Sequence, residues 1–192
     1  MGAKDSVAYC QAVVEEIFGD LIGNGIHCWL DDINGYTKDA ESLMVLLDQV
    51  LERCEKYGLK LHAKKCRFYA IYIQWCGKMI SANGVRHCLD RIQGLVDMPM
   101  PRTAADLQQF LCAVNWMRQS IPTYNLLTQR LYTTLETAMQ LAGAWNKSKL
   151  SKCVLADAGW GVDVETTLEV VRAALLKMVQ LAHPNQQDDV CL

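Results

Sequence analysis

Apolar residues recur at helical spacing through Val13, Val14, Ile17, Phe18 and Leu21, which predicts a first amphipathic helix capped by Ser6 and ended by Gly23 and Gly25. The apolar run from Ile26 to Leu30 is too short for a helix and predicts a buried strand. Thr37 or Asp39 then caps a second helix. Its inward stripe is Leu43, Leu46, Leu47, Val50, Leu51, Cys54 and Tyr57, with Gly58 at the C-terminal cap. Between 59 and 82 the texture turns β-like, with candidate strands at Leu59–His62, Cys66–Tyr69, Tyr72–Trp75 and Lys78–Ser81 and a turn at Ala82-Asn83-Gly84.

Beyond that turn the pattern is helical. Arg91–Val96 forms a short helix stopped by Pro99 and Pro101, and Thr103 with Asp106 reads as a capping box for a helix through Leu107, Phe110, Leu111 and Val114. Pro122 precedes a helix over 124–142, residues 146–152 read as an exposed basic loop, and a last helix carries Leu168, Val171, Leu175, Met178 and Val179 before Pro184. The outline is an α/β part followed by a helical part, divided near Gly84.

Composition changes this picture little: 51% of the 192 residues are apolar and 21% charged, ordinary for a globular chain. No apolar run approaches the roughly 18 residues a membrane span needs, so no membrane partner is expected. Nine cysteines without a CxxC pair argue for an intracellular, reducing compartment and against a disulfide framework. His87 and Cys88 near Cys76 lack the ligand pairs of a zinc finger.

Charge is more informative. Residues 53–102 carry ten Lys/Arg against three Asp/Glu, whereas the remainder carries nine against eighteen. A basic middle in an acidic chain is what a polyanion-binding surface produces, and a set of solvated faces would look the same in sequence.

The candidate chemistry centres on Asp31 and Asp32, directly after the apolar run. They could be a polar turn, or they could face solvent on a first strand that turns at Asn34-Gly35, or they could share magnesium ions at a hairpin tip. Asp188-Asp189, set among polar residues, is a similar pair that reads as solvated. Spacing alone leaves these readings open.

The ordered motifs resemble the reverse transcriptase of Ty3/gypsy-type long-terminal-repeat retrotransposons. Trp29-Leu30-Asp31-Asp32 is similar to that family's Tyr-x-Asp-Asp box, with Trp for Tyr. The opening through Ala8 and Gln11 resembles the end of its Pro-Phe-Gly-Leu-x-Asn-Ala-Pro segment. Tyr57-Gly58-Leu59-Lys60-Leu61-His62 with Lys64-Lys65-Cys66-Arg67-Phe68 looks like its Gly-Leu-x-Leu…Lys-Lys-Cys-x-Phe run. Trp75-Cys76-Gly77-Lys78-Met79-Ile80-Ser81, Pro101-Arg102-Thr103 and Leu181-Ala182-His183-Pro184 follow in the family's order.

The resemblance implies an α+β fold: a truncated palm of short β-hairpins packed on helices over 1–84, then a helical thumb over 85–192 leading toward a ribonuclease H region. It implies Asp31 and Asp32 as catalytic magnesium ligands, and Gly2, Gln11 and Lys65 lining the incoming nucleotide and template. Trp75, Cys76, Gly77 and Lys78 would grip the primer, and Arg102 would meet the nucleic-acid backbone. The implied partners are an RNA/DNA primer–template duplex and the remainder of a Pol polyprotein. The chain is expected to begin after the fingers and a strand bearing another essential aspartate. The resulting expectation is a fragment of an RNA-directed DNA polymerase, inactive by itself. The alternative is a non-catalytic nucleic-acid-binding or decayed retroelement remnant.

Overall fold

A computed structural model describes residues 5–143 and 145–183, and the chain forms two compact units, Met1–Ile71 and Tyr72–Leu192. Gly2 and Asp188-Asp189 therefore lie outside the described residues.

The first unit runs α1 (Ser6–Phe18), β1 (Ile26–Trp29), β2 (Asp32–Gly35) and α2 (Ala40–Lys56). Ser6 is the first residue of α1 and Asp5 occupies the cap position, without a side-chain capping bond, so the expected serine cap is not made. On α2 the expected cap is present: Asp39 accepts from the Ser42 N–H at 2.7 Å. At its other end Leu59 N–H reaches Cys54 O at 2.8 Å and Gly58 N–H reaches Glu55 O at 3.1 Å, the paired bonds of a Schellman ending.

Phe18 and Ile26 are fully buried and pack with Ile17, Leu21, Leu46, Val50 and Cys54. The inward stripe of α2 is thus narrower than its apolar pattern, since Leu51 and Tyr57 are exposed. Nor is β1 buried throughout: Ile26 is buried while Trp29 is 60% exposed, because a lone antiparallel pair has one covered face. Arg53 ties α2 to the end of α1, donating to Ile17 O at 2.9 Å and pairing with Asp20. That hydrogen-bonded guanidinium holds the Asp20 carboxyl below its usual range.

The expected strands at 59–62 and 66–69 do not form. In their place the chain is irregular around a 3-10 turn, Ala63–Lys65, and Phe68, Tyr69 and Ile71 are exposed. Among the described residues no strand pairs with this stretch.

In the second unit β3 (Tyr72–Trp75), β4 (Lys78–Ser81) and β5 (Gly84–His87) form an antiparallel meander. The division between 84 and 85 read from the sequence falls inside β5, after its first residue, whereas the compact units divide at 71/72. Then come α3 (Leu89–Val96), α4 (Ala104–Asn115), α5 (Tyr124–Ala142), α6 (Lys147–Leu150) and α7 (Val162–Leu176). The capping box is formed: Thr103 Oγ1 accepts from Asp106 N–H, and Asp106 Oδ2 accepts from Thr103 N–H at 2.9 Å.

Leu107, Phe110, Leu111 and Val114 of α4 meet Leu131, Leu135 and Ala138 of α5 and Leu168, Val171 and Leu175 of α7 in one core. The expected basic loop is in fact α6, whose Leu150 is fully buried in that core. Met178 and Val179 lie past the end of α7, in an extended segment that pairs with β5. Val85 N–H donates to Leu181 O at 2.8 Å and Leu181 N–H to Val85 O at 2.9 Å.

Gly84 makes that pairing possible. Its φ is +127°, and a Cβ there would lie 2.2 Å from Leu181 O. Gly94, inside α3, has nothing within 4 Å of a would-be Cβ. Gly84→Ala is therefore expected to destabilise the protein by about 1–3 kcal/mol, whereas Gly94→Ala should stabilise it by roughly 0.5–1 kcal/mol. Thermal unfolding, with hydrogen exchange at Leu181, separates the two. Equal shifts of the same sign would refute the account.

His87 gives a second test. It is 5% exposed and its Nδ1 has no hydrogen-bond partner. Burial, then the charges of Lys78 and Arg91, push its pKa below the ordinary 6.5. The unfolded chain thus binds a proton more readily, so the full stabilisation is present above about pH 6.5 and is lost as pH falls through the depressed folded value. His87→Gln should flatten the acid limb of a stability-against-pH curve below about pH 6.5. An unchanged limb would show that other groups set it.

Candidate functional site

Asp31 and Asp32 sit at a hairpin tip because of the register between β1 and β2. Ile26 faces Gly35, His27 faces Asn34, Cys28 faces Ile33 and Trp29 faces Asp32, which leaves Leu30 and Asp31 as a two-residue turn. Ile26, Cys28 and Ile33 consequently point to the helical core, and His27, Trp29 and Asp32 point away. Asn34 and Gly35 lie within β2, so the reading that placed the turn there does not hold. A Cβ at Gly35 would stand 3.5 Å from Leu46 Cδ2, an ordinary contact; the tighter approach to that leucine is at Gly25, where φ is +126° and a Cβ would lie 3.2 Å from Leu46 Cδ1.

Both carboxylates are exposed. Their support comes from α1. Gln11 Oε1 accepts from Leu30 N–H at 2.9 Å, and Gln11 Nε2 donates to Glu15 Oε1 at 2.8 Å, which orients the amide. Gln11, a nucleotide- or template-lining residue on the resemblance, is here a brace under the tip. On the outward face the His27 and Tyr36 rings stack at 4.9 Å, and Tyr36 Oη donates to Gly23 O at 3.1 Å. Lys65 is exposed in the Ala63–Lys65 turn.

The second unit holds the other expected group. Trp75 pairs with Lys78, leaving Cys76 and Gly77 as a two-residue turn with φ of +46° and +75°. Positive φ at both positions is the type I′ pattern that matches strand twist. Arg91 of α3 lies over Gly77: a Cβ at 77 would stand 2.2 Å from Arg91 Nη1. Lys78 faces His87 across the ladder. Trp75, Cys76, Gly77 and Lys78 are thus one hairpin, joined by Arg91, which the sequence pattern did not single out. No local signal connects Arg91 to Gly77, because the approach arises from the packing of α3 on the meander.

Arg102 is exposed at the start of α4, its N–H donating to Asp106 Oδ2 at 3.2 Å. Burial would raise the Asp106 carboxyl, but the Thr103 and Arg102 bonds and the Arg102 charge outweigh it and hold the group below its usual range.

Among the described residues no three His, Cys, Asp or Glu side chains gather as a metal cluster. The eight described cysteines are free, and no described helix is long and apolar enough to cross a membrane. Two surface grooves, one around Asn115, Arg118 and Thr123–Leu126 and one around Gly23, Tyr36 and Leu46, contain none of the expected site residues.

Residues 1–86 match the family described as reverse transcriptase (RNA-dependent DNA polymerase). The Tf2-3 and Tf2-7 transposon polyproteins of Schizosaccharomyces pombe are 27% and 26% identical to this chain over 135 residues. Each of those alignments covers 70% of the chain and 10% of the polyprotein, so the chain spans about a tenth of these relatives.

The fold is similar to that of the foamy viral protease–reverse transcriptase. With double-stranded DNA bound, that structure has a TM-score of 0.79 at 21% identity, covering 97% of this chain and 36% of that one. With an RNA/DNA hybrid bound, the TM-score is 0.76 at 21% identity, covering 95% of this chain and 22% of that one. Family match, polyprotein relatives and fold together support a reverse-transcriptase segment of a retroelement.

Proposed function

We propose that this chain is palm and thumb material of a retrotransposon RNA-directed DNA polymerase, and that it acts on a primer–template duplex. The observation that carries the reading is the exposed Asp31–Asp32 pair on a two-residue hairpin tip braced by Gln11, within the residues that match the reverse transcriptase family. Related proteins were captured with double-stranded DNA and with an RNA/DNA hybrid, and the duplex partner is carried over from them.

Hard carboxylate oxygens suit magnesium in kind, since that ion is commonly held by one or two carboxylates together with substrate phosphates and water. Asp31 and Asp32 are the residues that would hold it. When bound, the metal would lower the pKa of the attacking hydroxyl and neutralise charge on the leaving phosphates. The residues of this chain would supply the rest. Gln11 fixes the height of the tip, and Lys65 is assigned to the departing pyrophosphate. Lys78 and Arg91 beside the Cys76–Gly77 turn would take primer phosphates, and Arg102 would take the nucleic-acid backbone. Gly2 keeps its assignment as a nucleotide-lining position.

Two carboxylates supply only part of the donors that a two-metal site needs. The purified 192-residue chain is therefore expected to give no magnesium-dependent primer extension. Extension that disappears in Asp31→Asn would overturn this. Binding to a primer–template duplex should nevertheless occur and weaken steeply with salt. Lys78→Glu should lower the slope of log affinity against log salt by about 1. Duplex binding that magnesium does not influence would favour the non-catalytic binding remnant. No binding at low salt would remove both readings.

A further inference from the structure

Backbone bonds join two distant stretches of the second unit, one carrying Arg102 and the other Trp145, Lys147, Lys149 and Lys152. Thr103 and Val154 form an antiparallel bridge. Around it Ala104 N–H donates to Cys153 O at 2.9 Å and Leu155 N–H donates to Arg102 O at 3.0 Å. Arg102 is thereby fixed beside the segment carrying Lys147, Lys149 and Lys152, all of them exposed.

That segment is not a loose tail. Asn146 Oδ1 accepts from Lys149 N–H at 3.0 Å, Cys153 N–H donates to Leu150 O at 3.2 Å, and the Leu150 side chain is wholly buried. None of the ion pairs among the described residues uses these four cations. The nearest carboxylate on α4, Asp106, is engaged by the capping box, and Asp157 is the acid next along the segment. Trp145, immediately before the capping asparagine, is 76% exposed.

We propose that Trp145, Lys147, Lys149 and Lys152, with Arg102, form a contact for single-stranded nucleic acid, separate from the duplex contact assigned to Lys78 and Arg91. The lysines and Arg102 meet phosphates, and the indole offers its face to an unpaired base. A duplex keeps its bases stacked on one another and cannot use an exposed indole that way. Solvated lysines alone would not need an aromatic beside them, whereas cations with a projecting ring are the combination that single strands select. This inference rests on the reverse-transcriptase reading only for the class of polyanion.

Fluorescence anisotropy on the full chain, with a labelled unstructured 20-nucleotide single strand and a blunt duplex as probes, tests it. Trp145→Ala should weaken single-strand binding roughly tenfold and leave the duplex unchanged, with Trp145→Phe restoring most of the loss. Reversing Lys147, Lys149 and Lys152 to Glu should reduce the single-strand salt slope by about 2. Circular dichroism should be unaltered in each variant.

Single-strand affinity that is the same in all variants overturns the patch, whatever the duplex does. An equal loss on both probes in Trp145→Ala overturns its single-strand character. Binding of the wild type to anionic phosphatidylserine vesicles, lost in the lysine variant while the single strand is unaffected, assigns the patch to a lipid surface and overturns it as well. If duplex binding fails while the single-strand contrasts hold, the polymerase reading falls and the patch stands.

Discussion

A hairpin of two four-residue strands does not hold its shape in water unaided, and the presentation of Asp31 and Asp32 depends on what holds this one. The main anchor is Ile26, buried against Phe18, Leu46 and Val50. Full burial of such a side chain contributes about 1.5–3 kcal/mol, and the Gln11–Leu30 hydrogen bond roughly 0.5–1.5 kcal/mol. Burial therefore decides that the hairpin forms, and the glutamine decides where its tip rests. Arg53 completes the frame, since it fastens α2 to the end of α1 and so keeps the two helical walls of the small core together. This use removes one cation from the basic stretch that charge counting assigns to a polyanion.

The second unit is built more conventionally, with α5 packed against α4 and α7 around a continuous apolar core. Its special features lie where backbone meets backbone closely. The 179–183 segment lengthens the meander beyond β5, and a glycine stands at the one position where a side chain would push it away. Arg172 links α7 to the α3–α4 connection through Met98 O. Bonds of this kind add modest energy individually, but they fix the register of segments that the core contacts only on one side.

Much of this was legible in the sequence, and the reasons differ by element. The capping box at Thr103, the Asp39 cap, the bounds of α5 and the turn before Gly84 rest on local chemistry that tertiary context did not override. The missed strands at 59–62 and 66–69 show the opposite case. Their residues favour extended backbone, but a strand exists only where a neighbour accepts its hydrogen bonds. Residues 146–152 read as a loop because six polar residues flank Leu150, and its burial is a tertiary fact. The Asp pair was visible as a motif, whereas its brace and the approach of Arg91 to Gly77 were not. Both join residues far apart in the chain, and periodicity carries no information about such pairs.

The two candidate hairpins share a further property. Leu30 and Cys76 are non-glycine residues held at φ of +56° and +46°, each the first residue of its two-residue turn. A side chain in that region costs on the order of 1 kcal/mol or more and persists only where surrounding structure imposes it. At Leu30 the imposing contact is visible, because Gln11 captures the N–H that the turn exposes. At Cys76 the next residue is Gly77, which relieves the turn, and Arg91 covers it. Glycine at either first position would ease the backbone and free the tip. The chain instead keeps side chains there, and the Gln11 bond at one tip and the Arg91 cover at the other hold a backbone that neither side chain favours.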